Sequence, residues 1–142
     1  MTETMTTNVK AHSTIGTILE VSEDGSTWEK LCPVKKYPAL GGAPEQIETT
    51  DLEDNSQTFV PGVQTMEAME FTANYTYENY SAVNTKAGIP MHYRLKLAKN
   101  AGVAAWKGQH FVFVNEGEVN GVIEMTITVS PSTKIEISQP AV

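Results

Sequence analysis

Residues 63–75 read Val63-Gln64-Thr65-Met66-Glu67-Ala68-Met69-Glu70-Phe71-Thr72-Ala73-Asn74-Tyr75. Val63, Thr65, Met69, Phe71, Ala73 and Tyr75 fall on one side of the run, with Glu67 as the exception. Gln64, Met66, Ala68, Glu70, Thr72 and Asn74 fall on the other. A two-residue period places successive side chains on opposite faces of a sheet, so the run predicts one long strand with a buried and an open face. Val122–Ser130 repeats the pattern: Ile123, Met125, Ile127 and Val129 point one way, and Glu124, Thr126, Thr128 and Ser130 the other. The expected core is therefore Met69, Phe71, Tyr75, Ile123, Met125 and Ile127, joined by Leu19 and Trp28 from earlier strands.

The rest of the chain adds strands and turns. Thr17, Leu19 and Val21 alternate with Ile18 and Glu20, and Met91, Tyr93, Leu95 and Leu97 alternate with His92, Arg94 and Lys96. His110–Val114 is apolar on both faces, as a central strand covered twice would be. Ile135 and Ile137 mark a short last strand. Asp24-Gly25 precedes the run Thr27–Leu31 and predicts a tight hairpin, because such pairs supply the positive φ angles of the turn. Asn120-Gly121 predicts a second turn before the Val122 strand. One helix is expected over Glu78–Ala87, with Tyr80, Val83 and Ala87 at i, i+3 and i+7 and Gly88 and Pro90 as stop signals. The fold class is mainly β, a sandwich or barrel-like domain with one short flanking α-helix. Residues 1–14 read as a polar arm and 15–142 as a single domain. Residues 37–60 form a long acidic segment, and loops of more than about 12–15 residues in a compact domain tend to be functional or disordered. Its apolar Ile47, Leu52 and Phe59 suggest that it orders against a partner.

Composition narrows the function. The chain has 142 residues and a net charge of −7, and hydrophobic residues make up 40% of it. That suits one domain with one core. A single cysteine, Cys32, excludes an intrachain disulfide framework. No apolar run approaches the ~18 residues of a membrane span. There is no basic cluster beyond Lys35-Lys36, which argues against sequence-specific nucleic-acid binding. Between Lys36 and Lys86 the chain carries no Lys or Arg, yet it holds Glu45, Glu48, Asp51, Glu53, Asp54, Glu67, Glu70 and Glu78.

Catalytic patterns are missing. His12, His92 and His110 lack a His or Cys three to five residues away, as a zinc site would need. Asp51-Leu52-Glu53-Asp54-Asn55 has Ser56 where a calcium loop needs Gly, and it lacks the closing Glu. Gly41-Gly42 lacks the Lys-Ser/Thr of a phosphate loop. The sequence gives no reason to expect an enzyme, a metal or a cofactor.

Several stretches, taken in order, resemble one family. Gly16-Thr17-Ile18-Leu19-Glu20-Val21-Ser22 followed by Asp24-Gly25-Ser26-Thr27-Trp28-Glu29-Lys30-Leu31 resembles the opening hairpin of the tail tube (major tail) proteins of long-tailed bacteriophages. Pro44-Glu45-Gln46-Ile47-Glu48-Thr49-Thr50-Asp51-Leu52 is similar to that family's long loop, Met69–Tyr75 to its central strand and Gly121–Ser130 to its closing strand. The resemblance spans roughly residues 15–138. It implies a structural virion protein that polymerises as stacked hexameric rings, whose sheets join across subunits into a barrel around a lumen that DNA traverses. It also implies contacts with tape measure, tail terminator and baseplate proteins, assembly from the host cytoplasm, and no membrane.

On that reading the polar strand faces, Glu70, Thr72, Asn74, Glu124, Thr126 and Thr128, turn to the lumen. An acidic wall suits a conduit, since Lys/Arg contacts with phosphates would hold the DNA in place. The loop residues Gly41, Gly42, Glu45, Ile47, Glu48, Asp51, Leu52, Glu53, Asp54 and Phe59 would bridge subunits and rings. Two alternatives stay open: a carbohydrate- or protein-binding β-sandwich module with Trp28 or Trp106 lining a groove, and a type VI secretion-like tube subunit.

Overall fold

The computed structural model describes residues 11, 13–64, 67–98 and 101–139. Nearly all of the expected arm lies outside them. The elements run β1 (Ile18–Ser22), β2 (Glu29–Cys32), β3 (Pro44–Glu48), β4 (Phe59–Gln64), β5 (Met69–Asn74), α1 (Tyr77–Thr85), β6 (Met91–Leu97), β7 (Gly102–Val114), β8 (Glu124–Pro131) and β9 (Glu136–Ser138). The main sheet has the order β2-β1-β6-β7-β8-β5, with β9 also paired to β7, and β3-β4 forms a separate two-stranded sheet. All pairings are antiparallel.

Turn chemistry fixes the first hairpin. Gly25 sits at φ 83°. The Asp24 carboxylate accepts from the amides of Ser26 (2.8 Å) and Thr27 (2.9 Å) and from the Ser22 hydroxyl (2.9 Å). The amides of Thr27 and Ser26 hold the Asp24 carboxyl well below the usual carboxylate range. The second turn has Asn120 at φ 65°, the αL conformation that Asn tolerates. Helix α1 is capped by Thr76, whose hydroxyl accepts from the Asn79 amide at 3.1 Å. At nine residues it depends on packing, supplied by Val83 against the sheet.

The main sheet is open as a ladder but strongly curled. Past β2 the chain reaches the far edge strand, where Thr72 and Lys36 form one isolated bridge. The curl brings Phe71 of β5 against Trp106 of β7, centroids 6.2 Å apart and planes at 10°. Tyr93 stacks on the other side of Trp106 at 6.0 Å. Leu19, Phe71, Met125 and Ile127 are fully buried, and Met69 is 3% exposed. Strand β7 changes partners at Gly108, which faces Met91 of β6 and Pro131 of β8. A Cβ there would lie 2.4 Å from the Ser130 carbonyl oxygen, so only glycine fits this crossing.

Four expectations are corrected. The strand expected over Val63–Tyr75 is two strands in different sheets, β4 ending at Gln64 and β5 beginning at Met69. Glu67, the exception to the alternation, lies between them; Thr65 and Met66 fall outside the described residues. Ile123 is 60% exposed: the β5–β8 ladder stops at Asn74–Glu124, and Ile123 lies beyond the last buried layer. Trp28 is only partly buried, because it lies beside the sheet under the Arg94 guanidinium, 4.3 Å from its ring. The strand containing His110–Val114 begins at Gly102, and it is covered on one face only: His110 is buried, whereas Phe111 and Phe113 are each 53% exposed.

His110 ties helix to sheet. Its Nε2 lies 2.8 Å from the Val83 carbonyl oxygen and its Nδ1 2.7 Å from the Tyr93 hydroxyl. A carbonyl only accepts, so Nε2–H donates to Val83 and the bare Nδ1 accepts from Tyr93, which requires the neutral ring. Burial lowers the imidazole pKa, and the nearby Lys86 lowers it further against the opposing pull of the Val83 carbonyl. The unfolded ring binds a proton below about 6.5 while the folded ring resists it. This contribution to stability is therefore whole above pH 6.5 and is lost as the pH falls below it, at up to about 1.4 kcal/mol per pH unit. Urea midpoints should drop between pH 7 and pH 5 in the wild type and drop less in His110→Gln. Equal slopes in the two proteins would refute the assignment.

Candidate assembly surfaces

Strands β3 and β4 pair through Gln46–Pro61, Ile47–Val60 and Glu48–Phe59. Most of the segment expected as an irregular loop over 37–60 is thus a hairpin, although Tyr37–Ala43 remains irregular. Its tip is self-supporting. The Thr49 amide donates to the Thr58 carbonyl at 2.8 Å, and the Thr58 amide donates to the Thr50 hydroxyl at 2.9 Å. Asp51 and Asp54 spend their carboxylates on tip amides, accepting from Glu53 and Asp51 at 2.9 Å each.

Every residue of β3 is exposed. Ile47 is 52% exposed, Phe59 47%, Val63 76% and Leu52 fully so. The hairpin makes no substantial contact with the main sheet. An isolated two-stranded hairpin is marginal in water, and its exposed apolar side chains have nothing beneath them in their own domain. Gly41, at φ 88°, and Gly42 lie in the irregular lead-in to β3. Glu45, Glu48, Asp51, Glu53 and Asp54 make the arm uniformly anionic and are all exposed.

The polar strand face assembles as one surface. Glu70 pairs across with Thr128 and that with Phe111; Thr72 with Thr126 and that with Phe113; Asn74 with Glu124. Glu70 and Asn74 are exposed, and Thr72, Glu124 and Thr128 are half-buried. Thr126 departs from the expected open position. It is 8% exposed, and its hydroxyl donates to the Asn115 side-chain carbonyl at 2.6 Å. Glu124 is ion-paired with Lys35, so its charge is locally offset. Sequence reasoning missed Phe111 and Phe113 on this face. The signal is present, since His110–Val114 is apolar on both faces, but a strand covered twice gives the same pattern.

No group of three His, Cys, Asp or Glu side chains that could hold a metal ion occurs among the described residues. Cys32 is buried, and burial pushes its thiol up to about 11, which leaves it a poor nucleophile at neutral pH. No described helix is long and apolar enough to cross a membrane.

Comparison with known proteins meets this geometry. No curated protein matches the chain. Among solved structures, the tail of a gene transfer agent particle with C6 symmetry is similar at 12% identity and a TM-score of 0.67, covering 90% of this chain and 99% of that one. An extracellular contractile injection system, PVC sheath/tube terminator in the extended state, is similar at 13% identity and a TM-score of 0.63, covering 92% and 99%. A chain of the anti-feeding prophage baseplate is similar at 8% identity and a TM-score of 0.65, covering 91% and 95%. These likenesses show a shared fold. The family described as phage tail tube protein matches residues 2–138, and the chain belongs to that family.

Proposed function

We propose that this tail tube subunit assembles into stacked rings, six copies to a ring, around a lumen that DNA traverses. The observation that carries the reading is the β3–β4 hairpin, an arm whose first strand is exposed throughout and whose Ile47, Phe59, Val60 and Val63 are exposed apolar side chains. Such an arm gains most when a second copy covers it. Ring stacking is a heterologous contact, so it propagates into a filament rather than closing on itself. Residues 1–14 and the hairpin bridge neighbours, and residues 15–142 form the wall. The protein acts by assembly and not by catalysis. Its further partners are the tape measure, terminator and baseplate proteins, and it stands in the host cytoplasm before joining the virion tail.

The face of Glu70, Thr72, Asn74, Glu124, Thr126 and Thr128 is the proposed lumen wall. Of the two lysines beside it, Lys35 is bound to Glu124 and Lys36 lies across from Thr72, and Phe111 and Phe113 add uncharged surface. With Lys36 the only lysine beside the wall that has no ion-pair partner among the described residues, the wall offers few of the contacts that release counterions and fix DNA in place.

Negative-stain microscopy of purified protein tests the reading. Rings or tubes about 100 Å across are expected for six domains of this size. Protein that stays monomeric at every concentration and ionic strength would instead support a binding module.

A further inference from the structure

The outer face of the sheet continues from β5 and β8 onto the first half of β7, β6, β1 and β2, and there its charge is opposite to that of the chain. Glu20 stands between Lys30 and Arg94, His92 lies across from Lys107, and Lys96 lies across from Ile18. Lys134 joins Trp28, His92, Lys107 and Glu136 around a cleft of about 330 Å³. On this face Lys30, Arg94, Lys96, Lys107 and Lys134 outnumber Glu20 and Glu136, in a protein of net charge −7.

Arg94 is held by Glu20 at 2.5 Å and covers Trp28. Lys30, Lys96, Lys107 and Lys134 are exposed and have no ion-pair partner among the described residues. Clustered cations of this kind repel one another and raise the potential over the cleft, so an anionic partner gains there more than at an isolated lysine.

We propose that this basic face is the docking surface for the acidic β3–β4 hairpin of a second copy. Each surface is unmatched within its own chain, and the two match each other in charge. Glu45, Glu48 and Glu53 meet the lysines, and Ile47 and Leu52 lie against the flank of Trp28 and the lysine stems. Lysine stems cover apolar surface while their heads stay with the carboxylates. The inference rests on the tube reading and names the receiving surface for its arm. It also removes the basic half of the sheet from the lumen, leaving the polar face of β5 and β8 to line it.

A charge swap tests it, using the full chain. Lys107→Glu/Lys134→Glu should lower the association constant for tube growth about tenfold or more, because like charges then face each other. Glu48→Lys/Glu53→Lys on the hairpin should do the same. All four substitutions sit on exposed side chains, and circular dichroism should show each variant folded. The four substitutions combined in one chain should restore tubes, and that restoration is the expected result. Normal tubes from either two-site variant, or a combined variant no better than its parents, would overturn the docking inference alone. Wild-type protein without tubes would overturn the tube reading and this inference with it. A short duplex DNA that binds the wild type and not Lys107→Glu/Lys134→Glu, with tube growth unchanged, would assign the face to nucleic acid and overturn the inference as well.

Discussion

Excising residues 45–63 and joining Pro44 to Gln64 through a two-residue Asn-Gly turn is expected to leave a folded monomer that forms no tubes. Pro44 and Gln64 are already cross-strand partners. Their Cα atoms are therefore about 4.5–5.5 Å apart, and a two-residue turn spans that gap. None of the buried core residues lies in the excised stretch, and the hairpin does not rest on the main sheet. Shortening a loop slightly lowers its closure entropy cost, so the stability of the remaining domain should change by about 1 kcal/mol or less. Assembly should respond in the opposite way. The excision removes Ile47, Leu52, Phe59, Val60 and Val63, which are exposed in the monomer, together with the five carboxylates of the arm. Thermal melts and sizing of the monomer, followed by electron microscopy at high concentration, check both halves. Normal tubes would refute the assembly role of the arm. A molten or aggregated product would show that the arm belongs to the fold instead.

The same hairpin shows why some of the structure was legible in the sequence and some was not. Strands with one buried face announce themselves by alternation, and β6 was read from Met91 to Leu97, the bounds it has. The hairpin leaves its apolar side chains exposed, so little constrains its residues to alternate; β3 and the start of β4 read as loop, and only Val63 and Gln64 read as strand. The break between β4 and β5 left a trace in Glu67, which falls on the apolar side of an otherwise regular run. The Gly102–Gln109 half of β7 was missed for another reason. Its buried face is Gly102, Ala104, Trp106 and Gly108, small residues apart from one indole, and small residues give little hydrophobic signal. They are small because the backbone of β8 comes close to Gly108 and because Trp106 fills the space between Phe71 and Tyr93.

The surfaces were harder to read than the core, because a surface acquires meaning from pairing across strands. Glu70, Thr72 and Asn74 were placed on one face with Glu124, Thr126 and Thr128 by alternation alone, and the register does bring them side by side. That Phe111 and Phe113 share the face depends on the β7–β8 register, which no local pattern encodes. The basic face likewise draws on β2, β1, β6, β7 and the segment before β9. Its lysines are scattered singly along the chain, which is why the search for a linear basic cluster found only Lys35-Lys36. Lys35 proves to be occupied by Glu124.

The second large effect falls on the core. Phe71→Ala should cost about 3–5 kcal/mol, a sizeable part of the roughly 5–15 kcal/mol that holds such a domain together. Phe71 is fully buried on edge strand β5 and stacks on Trp106 across the curl of the sheet. Its removal opens a cavity against an indole already sandwiched on its other side by Tyr93, so collapse from that side is blocked. The stacking energy, about 0.5–1.5 kcal/mol beyond area burial, is lost too. A drop of roughly 10–20 °C in melting temperature is expected. Leu52→Ala deletes comparable chemistry from the hairpin tip, where the side chain is fully exposed. It should leave monomer stability within about 0.5 kcal/mol, as surface changes do, while weakening tube growth. The two substitutions thus separate folding from assembly: one should lower the melting temperature of the monomer, and the other only the yield of tubes. A Phe71→Ala protein that melts like the wild type would show that β5 is not packed across the core as described. A Leu52→Ala protein that assembles like the wild type would show that the exposed tip leucine meets no neighbour.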